Sequence, residues 1–151
     1  MALNIGQKAP DFTLESTSGK KFILGENFKN QACLIFFYPK DQTKGCTKEV
    51  CSFRDNFHVF KDLNIPIVGI SRDDIPSHLK FKNDHQLPFE LLSDPNGEVC
   101  KSYGALMPVL NIPKRITYLL DNNHQIMAVH EGLFNGPKHV EKMVDELTQI
   151  K

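Results

Sequence analysis

The chain has 151 residues, enough for one domain that buries roughly two-thirds of the surface exposed by its unfolded form. Hydrophobic residues at 40% together with nine glycines fall in the ordinary globular range, and 18 basic residues balance 18 acidic ones. That balance excludes a global field drawing the chain to nucleic acid or an anionic membrane, and no apolar run approaches the roughly 18 residues of a membrane span.

The opening MALNIGQKAPDF has no basic region followed by an apolar stretch, so the expected compartment is the cytosol. There the four cysteines, Cys33, Cys46, Cys51 and Cys100, are expected to be core thiols, metal ligands or redox groups rather than structural disulfides.

Residues 10–24 alternate apolar and polar around Ser18-Gly19 and predict a small hairpin. Residues 33–38, CLIFFY, are a continuous apolar run suited to a strand buried on both faces and ended by Pro39. From Cys46 onward Val50, Phe53, Phe57, Phe60 and Leu63 recur at helical spacing, which predicts one amphipathic helix of about four turns closed by Asn64. Residues 65–71, IPIVGIS, predict a second buried strand. Asp74, Ile75, Pro76 and Ser77 open another helix, with proline near its first position.

Residues 89–92 predict a third short strand and Asp94-Pro95-Asn96-Gly97 a turn. A short helix carrying Val99, Cys100 and Tyr103 follows and stops at Gly104. Residues 116–121 and 126–130 predict a hairpin, and a final helix over residues 137–150 turns Val140, Met143, Val144, Leu147 and Ile150 to one face. This order requires a single α/β domain over residues 1–151, with helices on both faces of a central mixed sheet and an N-terminal hairpin extension. It is the order of a thioredoxin-like fold.

The stretch FFYPKDQTKGCTKEVCSFRD, residues 36–55, carries the candidate chemistry. Cys46 follows a buried strand through a short loop and falls in the first turn of a helix, where unpaired backbone N–H groups and the positive end of the helix dipole favour a thiolate. Lys44 adds positive charge, the Thr43 hydroxyl can donate to the thiolate and accept from a substrate, and Pro39 can wall a pocket without offering an N–H.

Cys51 lies five residues further on, a spacing that is not one of the tight zinc patterns. Five residues of regular helix rise about 7.5 Å and turn about 140°, placing the two Cα atoms about 8.6 Å apart. A disulfide tolerates at most about 7 Å, so an oxidised Cys46–Cys51 pair would require the helix to unwind. Cys33 and Cys100 read as core residues, the six histidines show no ligand spacing, and nucleotide-binding glycine patterns are absent, so no cofactor or metal is expected.

Pro39-x-x-x-Thr43-x-x-Cys46 resembles the peroxiredoxin active-site signature, and FYPKDxTxGCTxExCxFRD resembles its bacterioferritin comigratory protein, or PrxQ, subfamily. GQKAPDFTL, IPIVGIS, SDPNGEVCKSYG and Arg115 before ITYLLD extend the similarity over the whole chain. The resemblance implies a cofactor-free peroxidase acting on hydrogen peroxide and organic hydroperoxides. In it Cys46 would be the peroxidatic cysteine, Cys51 the resolving cysteine in an intramolecular disulfide, Arg115, Pro39 and Thr43 the groups around the thiolate, and Glu49 a support that orients Arg115. It also implies recycling by thioredoxin or a glutaredoxin-type protein, a monomer or weak dimer, and no nucleic-acid or membrane partner. One departure is Lys44-Gly45 where the subfamily has Pro-Gly. The competing expectations are a thiol-disulfide oxidoreductase, against which the missing Cys-x-x-Cys counts, and a redox-regulated binding module.

Overall fold

The computed structural model describes residues 2–132 and 135–149. Strands β1 (Thr13–Ser16) and β2 (Lys21–Ile23) form the expected N-terminal hairpin, followed by a short helix α1 (Leu24–Asn27) that the periodicity does not reveal. Then come β3 (Cys33–Phe37), α2 (Lys44–Asp55), α3 (Phe57–Asp62), β4 (Ile67–Ser71), α4 (Ile75–His85), β5 (Glu90–Ser93), α5 (Glu98–Ser102), the hairpin of β6 (Ile116–Leu120) and β7 (Ile126–Glu131), and α6 (Gly136–Gln149). Ile150, expected on the apolar face of the last helix, lies outside the described residues.

The seven strands form one mixed sheet in the order β2-β1-β5-β4-β3-β6-β7. β3, β4 and β5 are parallel, while β6 pairs antiparallel with β3 and β1 antiparallel with β5. The N-terminal hairpin therefore extends the central sheet at its edge. All five residues of β3 are buried, and successive side chains serve opposite faces. Cys33, Ile35 and Phe37 join a core with Val68, Ile70, Tyr103 and Tyr118; Leu34 and Phe36 join a second core with Phe53, Phe60, Phe81 and Leu91.

The single four-turn helix expected after Cys46 is two helices. Asn56 leaves helical geometry at φ −104°, ψ 9°, and its side-chain amide donates at 2.8 Å to the Ser52 carbonyl, which also accepts from the Asn56 N–H at 3.1 Å. Asn64, expected to close the segment, follows α3 in the left-handed region at φ 58°. α4 begins as expected, the Asp74 carboxylate accepting from the Ser77 N–H at 2.9 Å.

α2 is held to the sheet by its second half. Phe53 is fully buried, stacks on Phe36 at 4.6 Å between ring centroids, and meets Phe60 and Phe89 edge-on or tilted. Phe53→Ala is expected to lower unfolding free energy by about 3–5 kcal/mol, measured by urea denaturation; a loss below about 1 kcal/mol would mean that this ring does not anchor α2.

Candidate active site

The parallel strands β3 and β4 end at Phe37 and Ser71, and the loop leaving β3 carries Pro39 and Thr43 to the start of α2. An open α/β sheet presents its chemistry at such carboxyl ends. The loop is tied down at Asp41, which is buried. Its Oδ1 accepts from the Tyr38 hydroxyl at 2.6 Å, and its Oδ2 accepts from the Ser77 hydroxyl at 2.8 Å and lies 2.7 Å from His78 Nδ1. The Asp41 N–H donates to Asp73 Oδ2 at 2.9 Å. Asp41, Asp73 and His78 form the group among the described residues whose donor atoms are close enough for a metal, within 4.8 Å of one another. Side-chain donors already meet both Asp41 oxygens, so the cluster acts as a hydrogen-bonded tie.

The inward stripe of α2 is Cys46, Glu49, Val50 and Phe53, the i, i+3, i+4, i+7 face of a helix. Cys46 sits on the third residue of α2, within the first turn as expected, and is fully buried. Arg115, immediately before β6, reaches across to it: Nη2 donates to Cys46 Sγ at 3.3 Å, and Nη1 donates to Glu49 Oε1 at 2.6 Å. The guanidinium is only 5% exposed and the glutamate not at all. Its planar fork allows one side chain to hold both partners.

Two close approaches make room for this arrangement. A Cβ at Gly45 would stand 3.2 Å from Arg115 Nη2, and one at Gly136 would stand 2.5 Å from the Glu49 Cβ and 3.1 Å from the Gly45 carbonyl. The first turn of α6 is thereby pressed directly onto the first turns of α2. The strand carrying Arg115 is fixed in turn by Gly132 N–H donating to the Arg115 carbonyl at 3.1 Å and Lys114 N–H to the Ala105 carbonyl at 2.7 Å. Arg72 spans the Asn111 and Pro95 carbonyls and so holds the preceding segment.

Thr43 departs from its expected contact. Its hydroxyl is exposed and donates to the Lys40 carbonyl at 2.8 Å, not to the Cys46 sulfur. Its extended backbone makes it the residue before the helix, and its carbonyl accepts from Thr47 N–H at 2.8 Å. Pro39 lines a groove of about 520 Å³ with Lys40, Arg72, Asp73, Leu110 and Ile112, while Cys46 lies beneath the surface. Cys51 is half-buried on the same unbroken helix as Cys46, and all four cysteines are free thiols. Burial pushes the Cys33 thiol up to about 12, and burial together with the Asp94 carboxylate pushes the Cys100 thiol higher still, as expected of inert core cysteines. Cys46 differs from them in having a guanidinium donor.

His139 and Thr117 are site neighbours that the sequence does not reveal. His139 comes from α6 and places Nδ1 3.8 Å from Glu49 Oε2 and 2.9 Å from the Thr117 hydroxyl; its Nε2 lies 2.8 Å from the Gly132 carbonyl. Nothing in the spacing of His139 within GPKHVEKM marks it out. Glu49 did carry a signal: it lies three residues after Cys46 and four before Phe53, on the buried face of the helix.

The chain belongs to the AhpC/TSA family, whose model matches residues 5–129, and within it to the peroxiredoxins of the Q/bcp type. This class makes it a peroxidase, an oxidoreductase. Among the relatives is the chloroplastic peroxiredoxin Q of Oryza sativa subsp. japonica, 40% identical over 146 residues that cover 96% of this chain and 67% of that one. That of Populus jackii is 37% identical over 149 residues, covering 98% and 70%. Peroxidoxin BcpB from Mycobacterium tuberculosis superposes with a TM-score of 0.90 at 31% identity, covering 97% of each chain. A mutant of Xylella fastidiosa PrxQ gives 0.88 at 25%, covering 99% and 98%.

Burial pushes the Glu49 carboxyl up to about 8 against the opposing pull of Arg115. The folded protein therefore keeps a proton that the unfolded chain releases from about pH 4.5. This stabilising contribution is complete below about pH 4.5 and disappears as pH rises through about 8. Measured as thermal midpoints across that window, the wild type is expected to lose ground steadily to Glu49→Gln; parallel profiles would show that Glu49 does not titrate abnormally.

Proposed function

We propose that the protein reduces hydrogen peroxide and organic hydroperoxides through Cys46 and that a dithiol protein of the thioredoxin or glutaredoxin kind restores it. The observation that carries this reading is the Arg115 guanidinium held between the buried Cys46 sulfur and Glu49. A positive donor at the sulfur favours its thiolate form and supplies hydrogen bonds where negative charge develops on the peroxide oxygens.

The thiolate attacks the terminal peroxide oxygen. A sulfur–oxygen bond forms as the O–O bond breaks, the leaving oxygen carries away the electron pair and a proton as water or alcohol, and Cys46 becomes a sulfenic acid. The Cys51 thiolate then attacks that sulfur, displacing the hydroxyl as water with a proton, and closes an intramolecular disulfide. An external dithiol reduces the disulfide by exchange and leaves with its own two thiols oxidised.

Pro39 and the Thr43 backbone shape the approach to Cys46 in this reading, and a monomer or weak dimer suffices. Resolution requires the first turns of α2 to unwind, because regular helix separates the two Cα atoms by about 8.6 Å. The local chemistry favours unwinding there: the end of α2 is anchored by stacked aromatics, whereas its beginning is held by polar contacts and by the packing of Gly136.

Treatment of reduced protein with one equivalent of hydrogen peroxide, followed by intact mass and disulfide mapping, tests the scheme. The expected product is a Cys46–Cys51 link with two hydrogens lost. Cys46→Ser is expected to abolish peroxide turnover, and Cys51→Ser to form sulfenic acid once but lose thioredoxin-driven cycling. Undiminished cycling by Cys51→Ser would refute the resolving role.

A further inference from the structure

The peroxidase scheme leaves one buried group without a role. Glu49 Oε2 has no hydrogen-bond partner among the described residues, although its carboxyl is completely enclosed. We propose that Cys46 and Glu49, joined through Arg115, hold one acidic proton between them, and that Glu49 gives up that proton as Cys46 is oxidised, offsetting the one gained by the leaving alkoxide or hydroxide. The inference rests on the peroxidase reading and deepens it.

The geometry sets the condition. Cys46 and Glu49 lie one turn apart on the enclosed face of α2, and both accept from the guanidinium, at 3.3 Å and 2.6 Å. One shared cation offsets one anion among side chains this deeply buried; a thiolate and a carboxylate together would leave a buried charge uncompensated. Among the described residues, the elements packed around Glu49 do not supply a second cation. From α6, His139 places Nε2 2.8 Å from the Gly132 carbonyl, which only accepts, so that nitrogen carries the ring proton. Its Nδ1 is then an acceptor for the Thr117 hydroxyl at 2.9 Å, and burial holds the ring down to about 4. From β7, His130 lies 4.4 Å behind it, ring to ring, and is also shifted down by burial.

A neutral His139 leaves Oε2 facing an acceptor nitrogen at 3.8 Å. A carboxylate oxygen gains nothing from that neighbour, whereas a protonated Oε2 adds no second buried charge beside the sulfur. The resting pair is therefore a Cys46 thiolate with a neutral Glu49. When the thiolate attacks a peroxide, the S–O bond forms, the O–O bond breaks, and the leaving oxygen takes one proton. The sulfur is now neutral, Arg115 has lost its anionic partner, and Glu49 ionises to replace it. Charge on the guanidinium's partners moves from sulfur to carboxylate, and the protons balance without a net draw on solvent. Glu49 acts through Arg115 and is a positioning residue, not one that touches the peroxide.

The Cys51→Ser protein, which stops at the sulfenic acid, allows a direct test with hydrogen peroxide near neutral pH in weak buffer. Infrared difference spectra are expected to show a carboxylic-acid carbonyl band lost and a carboxylate band gained as Cys46 oxidises. A pH indicator is expected to register close to zero proton uptake. Adding Glu49→Gln should remove the infrared change and raise uptake to about one proton per sulfenic acid. No carboxyl band change in Cys51→Ser, or equal proton uptake with and without Glu49, would overturn the proposal while oxidation still proceeds. Mass spectrometry separates that result from failure of the peroxidase reading itself, in which Cys46 gains no oxygen and both fall. If Glu49→Gln does not fold, the infrared measurement on Cys51→Ser decides alone.

Discussion

A guanidinium buried in an apolar interior is tolerated only if its charge is met and its N–H groups are bonded, and Arg115 meets that condition by gripping Cys46 and Glu49 together. Much of the surrounding structure serves this one contact. The helical period puts the thiol and the carboxyl on the same inward face of α2, β6 delivers the arginine from the neighbouring strand, and Gly45 and Gly136 keep backbone close enough to seal the cluster. Removing both acceptors would leave the buried guanidinium without its bonds, so reactivity and local stability depend on the same atoms.

In the proposed scheme this arrangement sets up a conflict that α2 has to resolve in time. Thiolate attack needs the helix intact, because the helix and its dipole position the sulfur against Arg115. Disulfide formation needs the same turns undone, because Cys46 is sealed and Cys51 stands too far along a regular helix. The division of α2 into a polar, ion-paired beginning and an aromatic end lets one part open while the other holds. Phe53 on Phe36 remains an anchor, and the break at Asn56 separates that anchor from α3. The contact of Gly136 with Glu49 places the start of α6 directly on the turns that the proposed disulfide would unwind.

The elements with strong periodicity were legible in the sequence. CLIFFY could only be a doubly buried strand, Asp74 with Pro76 marked a helix start, and the hairpin of β6 and β7 lies where the polar NNHQ segment divides two apolar runs. The break at Asn56 was not, because apolar spacing from Val50 to Leu63 continues through it and only the side-chain amide bonding to Ser52 reveals the termination. At the site, the first-turn place of Cys46 and the approach of Arg115 to its sulfur could be named in advance. The Thr43 hydroxyl was assigned to the wrong partner, since local bonding to the Lys40 carbonyl competes with any reach toward sulfur. His139 and Thr117 were invisible because they come together only through packing of α6 on the sheet, which no local pattern encodes.

The central claim is that the forked guanidinium of Arg115, bonded to sulfur and carboxyl at once, makes Cys46 reactive. Stopped-flow oxidation of Cys46 by hydrogen peroxide in wild type and Arg115→Lys, with the circular dichroism of both recorded, tests it most directly. Lysine keeps the charge but has no planar fork, and the account expects the rate to fall by about 100-fold or more with the spectrum unchanged. A rate within about twofold of wild type in a folded Arg115→Lys protein would contradict it.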